Sequence, residues 1–293
     1  MKIATSTYPL SWFDDWSEYQ AKMARWVAEA AGEGADLLVF PEYGAMELAS
    51  LSGAEAAGDP HRSTDAVADW LPQANALFSK LSSAHGVHIL APSAPVRDGA
   101  RVVNRAHFFA PSGAMAWQDK QIMTRWERDP WGIEPGGPLT LFDTALGKIG
   151  VLICYDSEFP LLAKALADAG AEIILIPSDT EALEGYWRVR IGAMARALEL
   201  QCVTVQSSLI GGDKRLYAVE ENTGAGGIFC PPDQGFPPTG VLAEGSLNSP
   251  GWTFAQVDLD AIRAVRADGH VLNLAHWEEQ PARVTQVSQC RLT

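Results

Sequence analysis

Apolar positions in the first half of the chain fall into long helical stripes and short continuous runs. Tyr19, Met23, Trp26, Val27 and Ala30 recur at helical spacing behind Ser17-x-x-Gln20, a capping-box pattern that closes the open N–H groups of a first turn. The helix they predict ends at Gly32 or Gly34. DLLVFPE follows, an apolar run with the character of a strand buried on both faces and running into Glu42. Trp70, Leu77, Phe78 and Leu81 predict a second helix over about 66–84, with Pro72 limiting its first turn. VHILAPSAPV, RVVNRAHFFA and AMAWQDK then come in quick succession with turn residues between them, as antiparallel neighbours do.

The second half alternates more regularly. A Gly-Pro-rich loop, WGIEPGGP, leads to two short strands ending in KIGVLICYD. A helix is predicted over about 159–169, then the strand EIILIPS, a helix over about 186–200 and the strand CVTVQSS. ENTGAGGIFCPPDQGFPPTG has the composition of a hairpin with a surface loop, and GWTFAQVDLDAIRAVR that of a strand leading to a short helix. Beyond about residue 270 periodicity fades, which predicts an extended tail lying on the body or on a partner subunit. GADLLVFPE (34–42) and GAEIILIPS (170–178) repeat one helix-to-strand junction, which predicts related halves of one layered body.

Composition narrows the class. Hydrophobic residues make up 47% of the 293 and charged residues 20%, the balance of an ordinary globular chain. A chain of this size buries about 75% of its unfolded surface, so no staples are needed. We expect residues 1–293 to form one unit, with about 265–293 as a C-terminal extension. The net charge of −14 argues against nucleic acid or an anionic membrane as partner, since both require a basic face. MKIATSTYPLSW lacks the apolar core of a signal peptide, and no run approaches the ~20 apolar residues of a membrane span. The four cysteines (154, 202, 230 and 290) are scattered, a pattern that fits free thiols in a reducing cytoplasm.

VLICYDSEFP (151–160) poses the chemical question. Only a thiolate attacks, and carboxylates beside Cys154 raise a thiol pKa rather than lower it. Activation must therefore come from elsewhere in the chain. None of the six histidines sits in a Cys-His context, there is no HExxH, and no glycine-rich phosphate loop opens a helix after a strand. No metal or cofactor is expected. Two other strand ends do carry chemistry: Glu42 closes LLVFPE and Lys120 closes AMAWQDK. In layered α/β folds, ligand sites gather at the carboxyl edge of the sheet.

LLVFPEYGAMEL, WQDKQIM and GVLICYDSEFP resemble the three motifs of the nitrilase, or carbon–nitrogen hydrolase, superfamily, in order and with separations of 78 and 34 residues. The segment from PSDT through GYWRVRIGAMARALELQCV is similar to the family's region after the cysteine strand, so the resemblance covers about residues 1–260. Ile122 stands where many relatives carry histidine, and Glu158 where many carry arginine. These departures bear on substrate identity rather than on the triad. KQIMTRWERD resembles a branch sometimes fused to an acetyltransferase domain, which these 293 residues do not include.

The resemblance implies a four-layer α-β-β-α sandwich in which Glu42, Lys120 and Cys154 converge. It implies Glu42 as general base, Lys120 as a fixed charge that lowers the thiol pKa and stabilises an oxyanion, and Cys154 as nucleophile. The Tyr155 N–H joins Lys120 at the oxyanion. A second glutamate is expected between the lysine and the cysteine, Glu127 first and Glu134 in reserve. Tyr43, Trp126, Trp131 and Trp187 are the expected pocket walls, and Asp156 and Glu158 are expected to point away from the thiol. Cys202 belongs to the core. A homodimer or higher assembly is implied, pairing through the helices at 159–169 and 186–200. The implied activity is an amidase releasing ammonia from a small carboxamide. A nitrilase or N-carbamoyl hydrolase on the same triad is the alternative. A non-catalytic binding protein is the reading from another class, against which the full Glu, Lys and Cys set argues.

Overall fold

The computed structural model describes residues 1–292. In chain order its elements are β1 (Lys2–Pro9), α1 (Trp16–Gly32), β2 (Leu37–Val39), α2 (Ala54–Ala57), α3 (Pro60–His85), β3 (His88–Leu90), β4 (Ala94–Asp98), β5 (Arg101–Phe109) and β6 (Met115–Asp119). The second half adds β7 (Phe142–Thr144), β8 (Gly147–Val151), α4 (Pro160–Asp168), β9 (Ile173–Ser178), α5 (Leu183–Leu200) and β10 (Val203–Ile210). β11 (Gly227–Phe229), β12 (Val241–Glu244), β13 (Gly251–Gln256), α6 (Leu259–Asp268) and α7 (Asn273–His276) complete it.

The main path of the sheet is β4-β5-β3-β2-β1-β10-β9-β8-β7, and the strands from β3 to β8 along it run parallel. β1 and β10 pair only over Thr7–Pro9 and Ser208–Ile210. Away from that short seam each takes another partner, β13 along Lys2–Thr7 and β11 along Thr204–Gln206. The sheet therefore opens from the seam into two layers.

Side-chain alternation shows what each face covers. Along β2, Leu38 and Phe40 join a core with Met23, Trp26 and Val27 of α1 and Leu71, Leu77 and Phe78 of α3. Leu37 and Val39 point the other way, into a second core with Ile149, Val151, Leu175 and Val203 from the other sheet half and with Ala163, Val189 and Ala193 of α4 and α5. Successive strand residues face opposite sides, so the order is helices, sheet, sheet, helices. This is the four-layer α-β-β-α arrangement.

Two helix starts differ from expectation. The cap of α1 is Asp15, whose carboxylate accepts from Ser17 N at 2.7 Å and Glu18 N at 3.2 Å. Ser17 lies two positions beyond the cap and donates its hydroxyl to Asp15. α3 begins well before residue 66. Asp59 caps it by accepting from His61 N and Arg62 N, Pro60 takes the first position, and Pro72 sits in the interior. An interior proline costs about 3 kcal/mol. Burial of Val67, Leu71, Leu77, Phe78 and Leu81, at about 1.5–3 kcal/mol for each fully buried side chain, more than offsets that cost.

The repeated junction is mirrored in space. β2 and β9 lie one strand out from the β1–β10 seam on either side, and Gly34 and Gly170 both take positive φ, 79° and 104°. The expected hairpin is β11–β12. Near the C-terminus, Trp277 and Glu278 meet Lys164 of α4, and residues 281–292 are exposed without helix or strand.

Candidate active site

Parallel strands deliver their carboxyl ends to one edge. Glu42 lies three residues past β2, Cys154 three past β8 and Asp179 one past β9. β6 is antiparallel to β5, which is antiparallel to β3. Its end, Lys120, therefore arrives at the same edge.

The four groups meet there. Lys120 Nζ donates to Glu42 Oε1 and to Glu127 Oε2, each at 2.7 Å. Glu42 also accepts from Asn104 Nδ2 at 2.9 Å and from the Asp179 N–H at 3.0 Å. Glu127 accepts from Thr124 N, Thr124 Oγ1 and the Tyr43 hydroxyl, all within 2.9 Å. The Cys154 thiol donates to Asp179 O at 3.5 Å. With three donors on Glu42 and four on Glu127, both carboxylates are held rigidly, which a buried ion pair requires to offset its desolvation.

The backbone that presents the thiol is unusual. Cys154 takes φ 49°, a left-handed conformation that costs a non-glycine residue on the order of 1–3 kcal/mol. Its neighbours hold it there. Ser157 Oγ donates to Cys154 O at 2.6 Å, and Arg196 of α5 donates to Ser157 O at 3.1 Å. Gly192 lets α5 approach this turn, since a Cβ there would stand 3.0 Å from Ser157 O. The buried Asp156 carboxylate accepts from Ile153 N, Gln121 N and Ile122 N, tying the cysteine turn to the lysine strand end. Burial lifts the Asp156 carboxyl to about 7, against the pull of Lys120 and those three N–H groups.

Burial pushes the Glu42 carboxyl up, and Lys120 only partly reverses this while Glu127 adds to it. Burial also works on Glu127, but Lys120, Thr124 and Tyr43 together hold that carboxyl below its ordinary range. Burial alone disfavours the Lys120 ammonium, yet Glu127 and Glu42 raise it well above the ordinary lysine value. The surrounding charges thus favour an ionised Glu127–Lys120 pair and leave Glu42 the carboxyl whose proton affinity is raised. The Cys154 thiol goes up, by burial first and Glu42 second, with Lys120 opposing. Lys120 pulls in the expected direction, but burial and Glu42 outweigh it and the net shift is upward.

A cleft of about 570 Å³ opens above these groups, within the usual range for small-molecule sites. Glu42, Lys120, Glu127, Cys154, Tyr43 and Tyr155 all line it. Glu134 is exposed and away from it, so Glu127 is the glutamate against Lys120. Trp126 lines it, but Trp131 is packed behind, 4.8 Å from the Tyr43 ring and donating its indole N–H to Pro60 O. Trp187 does not line it. Helical spacing puts Glu184, Gly185 and Arg188 toward the cleft and turns Trp187 outward, 48% exposed. Asp156 points away from the thiol as expected, whereas Glu158 lines the cleft and faces Arg188 at 3.5 Å. Cys202 is core. Among the described residues, no three His, Cys, Asp or Glu side chains cluster as metal ligands.

Asn104 and Asp179 were not singled out from the sequence. Asn104 is a fully buried polar residue in a largely apolar strand, which by itself signals a required partner. Asp179 lay unremarked within the PSDT segment.

Comparison with known proteins bears on the family and the fold. The carbon–nitrogen hydrolase family profile matches residues 2–227. A probable hydrolase, YhcX, from Bacillus subtilis (strain 168) is 32% identical over 274 residues, covering 94% of this chain and 53% of that protein. Nitrilase 3 from Arabidopsis thaliana is 31% identical over 176 residues, covering 56% of this chain and 50% of its own. The chain thus spans about half the length of these curated relatives. A variant of the amidase from Nesterenkonia sp. AN1, solved with the acetamide moiety of fluoroacetamide added covalently at its active site cysteine, has the same fold. It is 20% identical, with a TM-score of 0.70 over 98% of this chain and 97% of that one. From the three motifs, the fold they build and the family match across most of its length, the chain belongs to the carbon–nitrogen hydrolase family of the nitrilase superfamily.

Proposed function

We propose that this chain is an amidase that hydrolyses a small carboxamide to its acid and ammonia through a thioester on Cys154. One observation carries the reading: Lys120 Nζ held 2.7 Å from both Glu42 and Glu127 at the floor of a cleft that also exposes Cys154. Cys154 Sγ attacks the amide carbon while its proton passes to Glu42, whose raised pKa suits it to hold one. The oxyanion that forms meets the Lys120 ammonium and the Tyr155 N–H. A donor of this kind is typically worth about 2.7–4 kcal/mol. Glu42 returns the proton to the departing nitrogen, and ammonia leaves. Water then attacks the thioester, giving its proton to Glu42, and the acid departs as the thiol is re-formed.

Glu127 is the feature that favours an amide over a nitrile. Its carboxylate fixes Lys120 and, with Tyr43 and Thr124, stays anionic beside the reacting centre, as the second glutamate of amide-acting relatives is expected to do. Ammonia release from a panel of aliphatic amides, N-carbamoyl acids and nitriles tests the proposal. Turnover of amides ahead of both other classes is the expected result, and turnover of nitriles or carbamoyl compounds alone would overturn it.

We further propose that residues 1–293 act as one unit in the reducing cytoplasm, and that two copies pair through α4 and α5. Free thiols at Cys154, Cys202, Cys230 and Cys290 fit the first part. No helix of the structure is long and apolar enough to cross a membrane. The outward face of α5 presents Trp187, Ile191 and Leu198, and α4 adds Leu161, all more than 40% exposed. A stable pairing covers about 800 Å² on each partner. Light scattering should give at least twice 31.6 kDa. A 31.6 kDa particle at working concentration would count against pairing.

A further inference from the structure

The cleft is far more acidic than the chain around it. Eight of its lining side chains are carboxyls and two are cations, whereas the whole chain has 36 acidic residues against 22 basic. Both cations are already engaged, Lys120 by Glu42 and Glu127 and Arg188 by Glu158. Four of the carboxyls are exposed and lack an ion-pair partner among the described residues. They are Glu181 and Glu184 at the start of α5, and Glu220 and Glu221 on the loop between β10 and β11. An acid in the first turn of a helix is ordinary and accounts for Glu184. It accounts for none of the other three. Asp179 lines the same cleft, but burial and Glu42 raise its carboxyl well above the ordinary range, so the four exposed glutamates carry the charge of the rim. Tyr43, Trp126 and Tyr155 add aromatic walls, which attract cations and not anions.

We infer that the substrate is a carboxamide whose acyl chain ends in a positive charge, an ammonium or guanidinium. The rim glutamates hold that charge while the amide lies against Cys154. The inference rests on the amidase reading and names the substrate class of that same site. An acyl chain ending in a carboxylate finds no unpaired cation in the cleft among the described residues, and it faces the field of the unpaired glutamates.

Three amides of matched length separate the possibilities: 4-aminobutanamide, pentanamide and the monoamide of glutaric acid. kcat/KM should fall in that order. A cleft lined by one sign of charge concentrates its counter-ion, so the cationic amide should lead by about tenfold or more at low salt. The lead should shrink as salt is raised. The double variant Glu220→Gln, Glu221→Gln should bring the ratio of cationic to neutral amide toward one. Equal rates for the three, or a lead for the carboxylate, would overturn the inference. A charge readout without turnover keeps its failure distinct from that of the amidase reading. Cys154 is labelled with aminoethyl and with sulfonatoethyl methanethiosulfonate. Each rate, read on the Cys154 peptide by mass spectrometry, is divided by the reagent's rate with a free small thiol. A cationic lead of about tenfold or more supports the acidic cleft even if no amide is turned over. Parity or an anionic lead sinks the inference, and turnover of pentanamide would then leave the amidase reading standing alone.

Discussion

Cys154→Ala should abolish turnover of every amide the wild-type chain hydrolyses while leaving the cleft able to bind substrate. Removal of a nucleophile takes away the covalent route itself, and in a well-studied covalent hydrolase this costs on the order of 10⁶-fold in kcat. Ligand binding should survive because the walls of the cleft belong to other strands and to α5. With an amide substrate, mass spectrometry of the wild type should show an acyl adduct, at least transiently, on the peptide that contains Cys154. The alanine variant should show none. The other buried thiols are poor competitors. Burial pushes Cys202 and Cys230 each up to about 12, and Cys202 has no exposed surface. An adduct on either, or full turnover by the variant, would overturn the assignment of the nucleophile.

The second large effect belongs to Glu42→Gln. Burial and Glu42 raise the thiol pKa, so in the proposed mechanism attack needs a base, and that base is Glu42, whose own pKa burial raises. Glutamine keeps the shape but cannot take the proton, and general-base help of about 10²- to 10⁴-fold should disappear. Both half-reactions should slow, because the same carboxylate serves attack on the amide and attack of water on the thioester. The pH profile supplies an independent check. A base works in its ionised form, so wild-type kcat/KM should rise with pH as Glu42 ionises. Burial lifts that carboxyl above its ordinary range, so the acid limb should lie above the pH typical of an exposed glutamate. In Glu42→Gln that limb should vanish. An unchanged limb in the variant would assign the proton transfer to another group.

Much of this site was legible along the chain because strands carry their own signature. Apolar runs such as DLLVFPE and GVLICYD mark buried parallel strands, and in layered α/β folds chemistry collects where such strands end. An acid, an amine and a thiol at three strand ends therefore named Glu42, Lys120 and Cys154 before any coordinates. The alternation along β2 likewise contained its two faces, since strand side chains must point to opposite sides.

Other features depend on distances that no local pattern contains. Glu127 lies on a short helical turn and Glu134 in the loop just beyond it, and only the folded chain carries one to Lys120 and leaves the other in solvent. Asn104 and Asp179 meet Glu42 across 62 and 137 residues. Pro72 looked like the start of a helix because proline is tolerated there, yet burial against the sheet carries α3 straight through it. The thiol's proton affinity depends on the fold in the same way. A lysine near a cysteine lowers its pKa in water-exposed surroundings, but at this edge the layers exclude water and place Glu42 beside the sulfur. Strand signatures are local because they follow from the backbone's period of two. Proton affinities and pair choices are not, because they are set by how much water the tertiary packing removes and which charges it leaves in the space that remains.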